Sequence, residues 1–321
     1  MADSSWITLA VAISLLARAE AAWSTTDLKV QRLSSRDAFG IDVVRPVFSW
    51  VWTTESTPET RGEPLPSHVH VGLSLQPWSN TGSAREQHSD LWSWSTQLEN
   101  SFNNVSSDSV TYDGPQLPSA TKVYWQVCHA ATAASAADKK AKMTCSSSSF
   151  VTGLYSPEDW GSATWIGGRQ LRSPTFAVPP AATSVVVAVT GLGFYELSLN
   201  GAKVGDAIMD PGFSTNYSER ILYAVYDITN QTLTGTSSQE ITEQNQFVFG
   251  ARVGAGKYSY AVNPSAVPGQ DVFALRLALT IGFENGTSLV TLVSDDTWME
   301  SESPIVWDNL YHGEVGRTAL L

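Results

Sequence analysis

The sequence predicts an all-β protein built from two consecutive β-sandwiches. Three observations carry this. Apolar residues alternate with polar ones at the two-residue period of a strand. Pro, Gly, Asn and Ser clusters punctuate the alternation at short intervals. No stretch sustains a helical period with caps at its ends; the Ala-rich segment 130–141 reads as a loop.

From residue 27 to residue 153 seven strand-like runs follow one another: LKVQRL, PVFSWVW, HVHVGLSL, LWSWSTQL, SVTYD, KVYWQVCHA and SSSFVTG. Val69, Val71, Leu73 and Leu75 share one strand face, as do Val123, Trp125 and Val127. Seven short strands in one such block fit a fibronectin III or immunoglobulin-like sandwich. Residues 154–161 (LYSPEDWG) read as a linker. The second block, residues 162–314, contains TWIGG, PTFAVP, SVVVAVTGLGFYELSLNG, RILYAVYDI, NQFVFGARVG, VFALRLALTIGF and SLVTLVSDDTWM. Asn200-Gly201 and Asn285-Gly286 fit two-residue hairpin turns, and the block reads as jelly-roll-like. Residues 315–321 form a divergent tail.

Composition narrows the function classes. Only 16% of the 321 residues are charged, against about 25% in ordinary soluble domains. The net charge of −12 and the absence of a basic stripe argue against nucleic acid and against anionic membrane surfaces. Two cysteines exclude a four-cysteine zinc site.

Residues 1–22 read as a secretory signal peptide, with the apolar run Trp6–Leu16 and small residues up to Ala22, so the protein is expected to be secreted and extracellular. A buried or anchoring N-terminal helix is the alternative, because Asp3 is present and no basic residue precedes the run. Asn104, Asn216, Asn230 and Asn285 head N-glycosylation sequons. Cys128 and Cys145 lie on neighbouring predicted strands and can form a disulfide; two free buried thiols are the alternative.

Several catalytic patterns are approached and missed. Gly254-Ala255-Gly256-Lys257-Tyr258 lacks the Ser/Thr of a phosphate loop, and Gly191-Leu192-Gly193 runs into a strand. His68 and His70 share a strand face without a third ligand and read as an exposed polar face. Glu196, Asp206, Asp210 and Glu219 are the carboxylates a glycosidase would draw on, yet nothing in the sequence sets two of them across a cleft. Among the many aromatic residues, Trp50, Trp125 and Trp165 read as core. Trp78, Phe213 and Tyr258 fall in predicted loops and suit a sugar-stacking platform.

Phe39-Gly40-Ile41-Asp42 with Arg45-Pro46-Val47-Phe48-Ser49-Trp50 resembles the opening of the α-L-rhamnosidase family. The resemblance continues through Leu91-Trp92, Tyr112-Asp113-Gly114, Tyr124-Trp125-Gln126-Val127, Asp159-Trp160 and Trp165-Ile166-Gly167. It is most specific over Thr190–Gly201, followed by Val204-Gly205-Asp206, Asp210-Pro211-Gly212-Phe213 and Arg220-Ile221-Leu222-Tyr223. It implies a secreted, fungal-like protein that carries the N-terminal portion of an enzyme hydrolysing terminal α-L-rhamnose from plant glycosides and polysaccharides. The family's catalytic carboxylates belong to an (α/α)6 barrel, and no such helical sequence occurs here. A truncated form without catalytic residues is therefore expected; a stand-alone carbohydrate-binding module and a non-enzymatic interaction protein are the alternatives. The family's rhamnose- and calcium-binding version carries an Asp-Asn pair near Gly191–Phe194. Gly-Leu-Gly-Phe stands there instead, so no metal and no cofactor is expected. If rhamnose-containing glycosides or polysaccharides bind at all, the second sandwich is the expected place. There Phe213 and Tyr258 would stack on a sugar while Asp206, Asp210 and Asn216 bond its hydroxyls.

Overall fold

A computed structural model describes residues 23–34, 38–54, 67–73, 90–95, 109–130, 143–233, 246–258, 273–283 and 287–317. The signal-like segment, Trp78, Asn104 and Asn285 lie outside them.

The first block forms β1 (Trp23–Val30), β2 (Leu33–Ser34), β3 (Val47–Thr54), β4 (Ser67–Gly72), β5 (Asp90–Ser95), β6 (Ser109–Thr111), β7 (Lys122–Ala130) and β8 (Met143–Val151). They make two antiparallel sheets, β2-β1-β3-β6 and β5-β4-β7-β8. The predicted run LKVQRL is broken at Gln31 and Arg32. Both adopt positive φ, so the chain turns there and β2 folds back on β1.

Alternation fills the space between the sheets as the pattern requires. Phe48 and Trp50 from β3 meet Val69 and Val71 from β4 and Val123, Trp125 and Val127 from β7. Phe48 is the hub, with its ring centroid 4.8 Å from Trp125, 5.9 Å from Phe150 and 6.3 Å from Tyr112. Tyr112 is fully buried, and its hydroxyl donates to Pro115 O at 2.6 Å, which satisfies the polar end of the ring. Cys128 and Cys145 face one another across β7 and β8 and are disulfide-bonded. Closing a loop of this length is worth about 3 kcal/mol in the chain-entropy model. His70 is buried, not exposed; burial and the neighbouring His68 pull its pKa down to about 4.

The second block supplies β9 (Ile166–Gly167), β10 (Gln170–Arg172), β11 (Phe176–Ala177), β12 (Ala182–Leu192), β13 (Tyr195–Leu199), β14 (Ala202–Lys203), β15 (Ala224–Asp227), β16 (Gln246–Phe247), β17 (Phe249–Val253), β18 (Ala274–Phe283), β19 (Ser288–Val293) and β20 (Met299–Glu300). One sheet runs β14-β13-β17-β10-β20; the facing sheet runs β15-β12-β18-β19, with β9 also on β18. Val185, Val187, Val189, Leu275, Leu277, Leu279 and Ile281 point between them, against Leu197, Leu199, Phe249 and Val253. A hairpin, β21 (Ile305–Asn309) and β22 (Gly313–Gly316), closes the described chain. It is fastened by Asp308, which pairs with Arg169 and accepts from Ala255 N at 2.7 Å.

The run SVVVAV shows no polar alternation because β12 is covered on both faces. Its other face carries a row across four strands: Val225, Ala188, Ala278 and Val293. Against that row pack Ala120 and Val151 from the first sandwich, Leu154 and Trp160 from the linker, and Ala163 just beyond it. The small side chains in the row let the first sandwich approach closely. Trp160 lies between the Tyr223 ring, at 5.8 Å and edge-on, and the Arg276 guanidinium, 4.9 Å from the Trp ring. Trp165, by contrast, is 40% exposed. Thr164 is bonded to Ser294 and Ile166 packs on the core, so alternation turns Trp165 outward.

Asp159 ties the linker down. It sits in a 3-10 turn, Pro157–Trp160, and its Oδ2 accepts from Ser119 Oγ at 2.6 Å, Tyr155 N at 2.8 Å and Ser156 N at 2.9 Å. Burial alone would raise its pKa, but these bonds outweigh burial and hold the carboxyl below its usual value. A depressed carboxyl stabilises the fold above its unfolded pKa of about 3.9 and loses that contribution as pH falls through the lower folded value. Asp159→Asn is therefore expected to lower the melting temperature at neutral pH. The gap to the parent chain should narrow as pH falls below about 4. Thermal melts across pH check this; a gap independent of pH would contradict it.

Candidate functional site

Two places in the second sandwich gather the candidate residues. The first is a cleft of about 750 Å³ at the junction of the two sandwiches. Phe39, Gly40 and Asp42 border it from the first sandwich, and Asp206, Asp210, Arg220 and Tyr226 from the second. Such a volume and such a place are usual for small-ligand sites.

The loop that forms this cleft leaves β13 through Asn200 and Gly201, both at positive φ, as an Asn-Gly hairpin turn requires. Val204 N then bonds to Leu197 O, and Tyr195 N bonds to Asp210 O at 2.9 Å, so the returning chain is pinned to β13. The Asp210–Pro211 peptide is cis. Thr190 Oγ1 donates to Leu222 O at 2.6 Å and holds the far end. Gly193 begins the whole arrangement. At φ +107° a side chain there is strained, and a Cβ would lie 2.1 Å from Gly254 O. The glycines that look like a nucleotide fingerprint thus serve a close backbone crossing.

Asp210 is a tied residue. Tyr226 donates its hydroxyl to Asp210 Oδ2, and Tyr195 OH lies 3.4 Å from Tyr226 OH. Burial raises the pKa of both tyrosines; the Tyr226 bond to Asp210 raises Tyr226 further, and the neighbouring Tyr226 raises Tyr195. Both remain protonated donors at physiological pH. Asp227 is tied as well: Lys122 from the first sandwich pairs with it at 2.7 Å, and Thr229 N donates to it at 3.0 Å. Asp206 is exposed on the rim.

The second place is an aromatic cluster outside the cleft. Phe213 is 48% exposed, but Lys257 Nζ stands 3.9 Å from its ring centroid. Tyr258 meets Tyr217 edge-on at 4.9 Å. Phe213 and Tyr258 thus each already have a neighbour of their own. Asn216 is exposed, and its Oδ1 accepts from Ser218 N and Ser218 Oγ, a local turn within the sequon. Asn230 is exposed on the short helix Thr229–Leu233, while Thr232 of the same sequon is buried and bonded to Ile228 O.

The structure therefore brings Asp206 and Asp210 into one cleft and leaves Phe213, Asn216 and Tyr258 together elsewhere. Asp42, Arg220 and Tyr226 were missed as cleft residues. No run along the chain shows that Asp42 of one sandwich meets the Asp206 loop of the other. Among the described residues no group of three or more His, Cys, Asp or Glu could hold a metal ion.

Comparisons with known proteins follow the same order along the chain. The Rha78A-like N-terminal immunoglobulin domain matches residues 25–156, and the α-L-rhamnosidase N-terminal domain matches residues 181–317. An α-L-rhamnosidase of Formosa agariphila is 29% identical across 89% of this chain and 30% of its own. One of Streptomyces avermitilis is 29% identical across 48% of this chain and 15% of its own. Crystal structures resemble the fold: native α-L-rhamnosidase from Aspergillus terreus has a TM-score of 0.60 at 22% identity, covering 91% of this chain and 31% of that one. The Streptomyces avermitilis α-L-rhamnosidase complexed with L-rhamnose has a TM-score of 0.60 at 17% identity, covering 91% and 42%. The chain thus spans less than a third of the curated relatives' length.

Tyr226→Phe removes the donor that holds Asp210. A hydrogen bond to a charged group is worth about 1.5–3 kcal/mol, so the variant should lose stability of that order. Chemical denaturation monitored by Trp fluorescence measures it; an unchanged midpoint would show that Asp210 is held without Tyr226.

Proposed function

We propose that this chain, whose two sandwiches match the N-terminal domains of the α-L-rhamnosidases, is the accessory front portion of a secreted α-L-rhamnosidase. The observation that carries this is the succession of the two family matches over residues 25–156 and 181–317. In this reading the carboxylates that cleave terminal α-L-rhamnose belong to another part of the enzyme, and these sandwiches support it. The tied state of Asp210 and Asp227 supports the division of labour, since both carboxylates are spent on structure.

The same portion contacts rhamnose-containing glycosides or polysaccharides weakly, at the junction cleft and at the neighbouring loop. Asp206 and Arg220 offer polar partners for hydroxyls, and Ile221 and Leu222 offer an apolar wall for a deoxy-sugar's methyl group. Phe213 and Tyr258 extend the surface beyond the cleft, with Asn216 between them in sequence. The size of the cleft also favours a second reading, a carbohydrate-binding module that works without any catalytic partner.

The purified chain is expected to release no chromophore from an aryl α-L-rhamnoside. Calorimetric titration with the same sugar should give weak binding that Asp206→Ala reduces. Clear turnover would sink the accessory reading, and absence of binding at millimolar sugar would remove the cleft from it. Secretion has its own check. Expressed in a secreting eukaryotic host, the chain should reach the medium lacking residues 1–22 and carrying N-glycans; intact mass before and after deglycosylation reads both. Retention in the cell with an intact N-terminus would refute the signal.

A further inference from the structure

The outer face of the β14-β13-β17-β10-β20 sheet points away from the first sandwich and carries a groove of about 440 Å³. Strand register places its side chains in two rows. Glu196, Arg252 and Gln170 stand side by side on β13, β17 and β10; Ser198, Gly250 and Arg172 form the next row. Lys203 on β14 faces Ser198 and reaches Glu196 at 3.7 Å.

Three features bear on what this face can hold. The first is Gly250. It takes away the side chain between Ser198 and Arg172 and leaves backbone as the floor of the groove. A Cβ there would lie 2.8 Å from Ser198 Oγ, which itself bonds to Gly250 O at 3.1 Å. The second is unspent cationic charge. Arg45, Lys122, Arg169 and Arg317 each pair with a carboxylate. Arg172 and Arg252 are exposed and have no ion pair among the described residues. They sit diagonally on neighbouring strands, about 7–8 Å apart at the backbone. The third is Gln170, whose Oε1 is buried with no hydrogen-bond partner at the edge of the same groove.

We propose that this groove binds an anionic glycan, a chain whose sugars carry carboxylate or sulfate groups. The two guanidiniums grip the anion in the planar, two-pronged manner that suits oxyanions. Gln170, Ser198 and the backbone at Gly250 take the hydroxyls of the adjoining sugar. A chain of net charge −12 repels polyanions in general, so attraction needs a local site of this kind. The choice of a glycan over other polyanions rests on the proposed function; the anion recognition rests on the arginines alone.

Affinity electrophoresis of the purified chain through gels containing polygalacturonate, sulfated dextran, neutral dextran or duplex DNA tests this. Retardation is expected with polygalacturonate, sulfated dextran or both, weakening with salt as screening shortens the reach of the charges. Which of the two retards the chain identifies the anion. Arg172→Gln with Arg252→Gln should weaken that binding roughly tenfold or more without moving the melting temperature, because both side chains are exposed. Lys257→Gln, in the separate aromatic cluster, should leave it unchanged. No retardation by either acidic glycan, equal retardation by neutral dextran, stronger retardation by DNA, or an undiminished double variant would each overturn the proposal. Binding of a neutral rhamnoside bears on the cleft alone, so the two readings fail separately.

Discussion

The outer face of the β12–β18 sheet depends on being covered. Val186, Ala188, Val225 and Ala278 would be an apolar patch on an isolated sandwich, and the first sandwich and the linker cover them. Trp160 is the largest side chain placed there, and Asp159 beside it binds Ser119 of the first sandwich. One dipeptide therefore supplies both the apolar plug and the polar tie. Lys122 pairing with Asp227 and Leu154 N donating to Tyr223 OH add directional bonds around the same contact. Apolar cover and satisfied polar groups together fix one mutual placement, where either alone would allow sliding. The junction cleft exists because this placement holds Asp42 beside the Asp206 loop.

Strands whose environment is two-sided were legible in the sequence. Val123, Trp125 and Val127 alternate with polar neighbours because one face of β7 meets the core. The Asn200-Gly201 turn was legible because its backbone needs φ values that few residues accept. The run in β12 was legible as a strand but not as a doubly covered one, since a continuous apolar run does not say what covers its second face. Trp165 and His70 inverted their expected exposure for a related reason. The exposure of a strand's outer positions depends on what packs from elsewhere in the chain.

The site was less legible than the fold. Asp206 and Asp210 were picked as polar residues in a loop after a hairpin, and both line the cleft. The Tyr226 bond that ties Asp210 crosses from β15 to a different segment, and nothing near Asp210 in sequence announces it. The spacing of Phe213 and Tyr258 says nothing of the Lys257 ammonium placed over one ring or the Tyr217 ring against the other. Arg172 and Arg252 are eighty positions apart and become neighbours only through β10–β17 register.

The two faces of the second sandwich follow from one topology. β12 and β18 are long and central, so their outer face is broad and flat enough to seat another domain. β13, β17 and β10 are short, and Gly250 leaves a depression at their centre. Apolar residues fill the inner positions of both sheets alike, so the inner positions do not distinguish them. The outer positions do: Val and Ala where protein covers the sheet, Arg, Gln, Ser and Glu where solvent meets it. Anything held in the groove touches the second sandwich alone and leaves the junction untouched. Anything held in the cleft touches both sandwiches and is sensitive to whatever loosens Asp159 or Trp160.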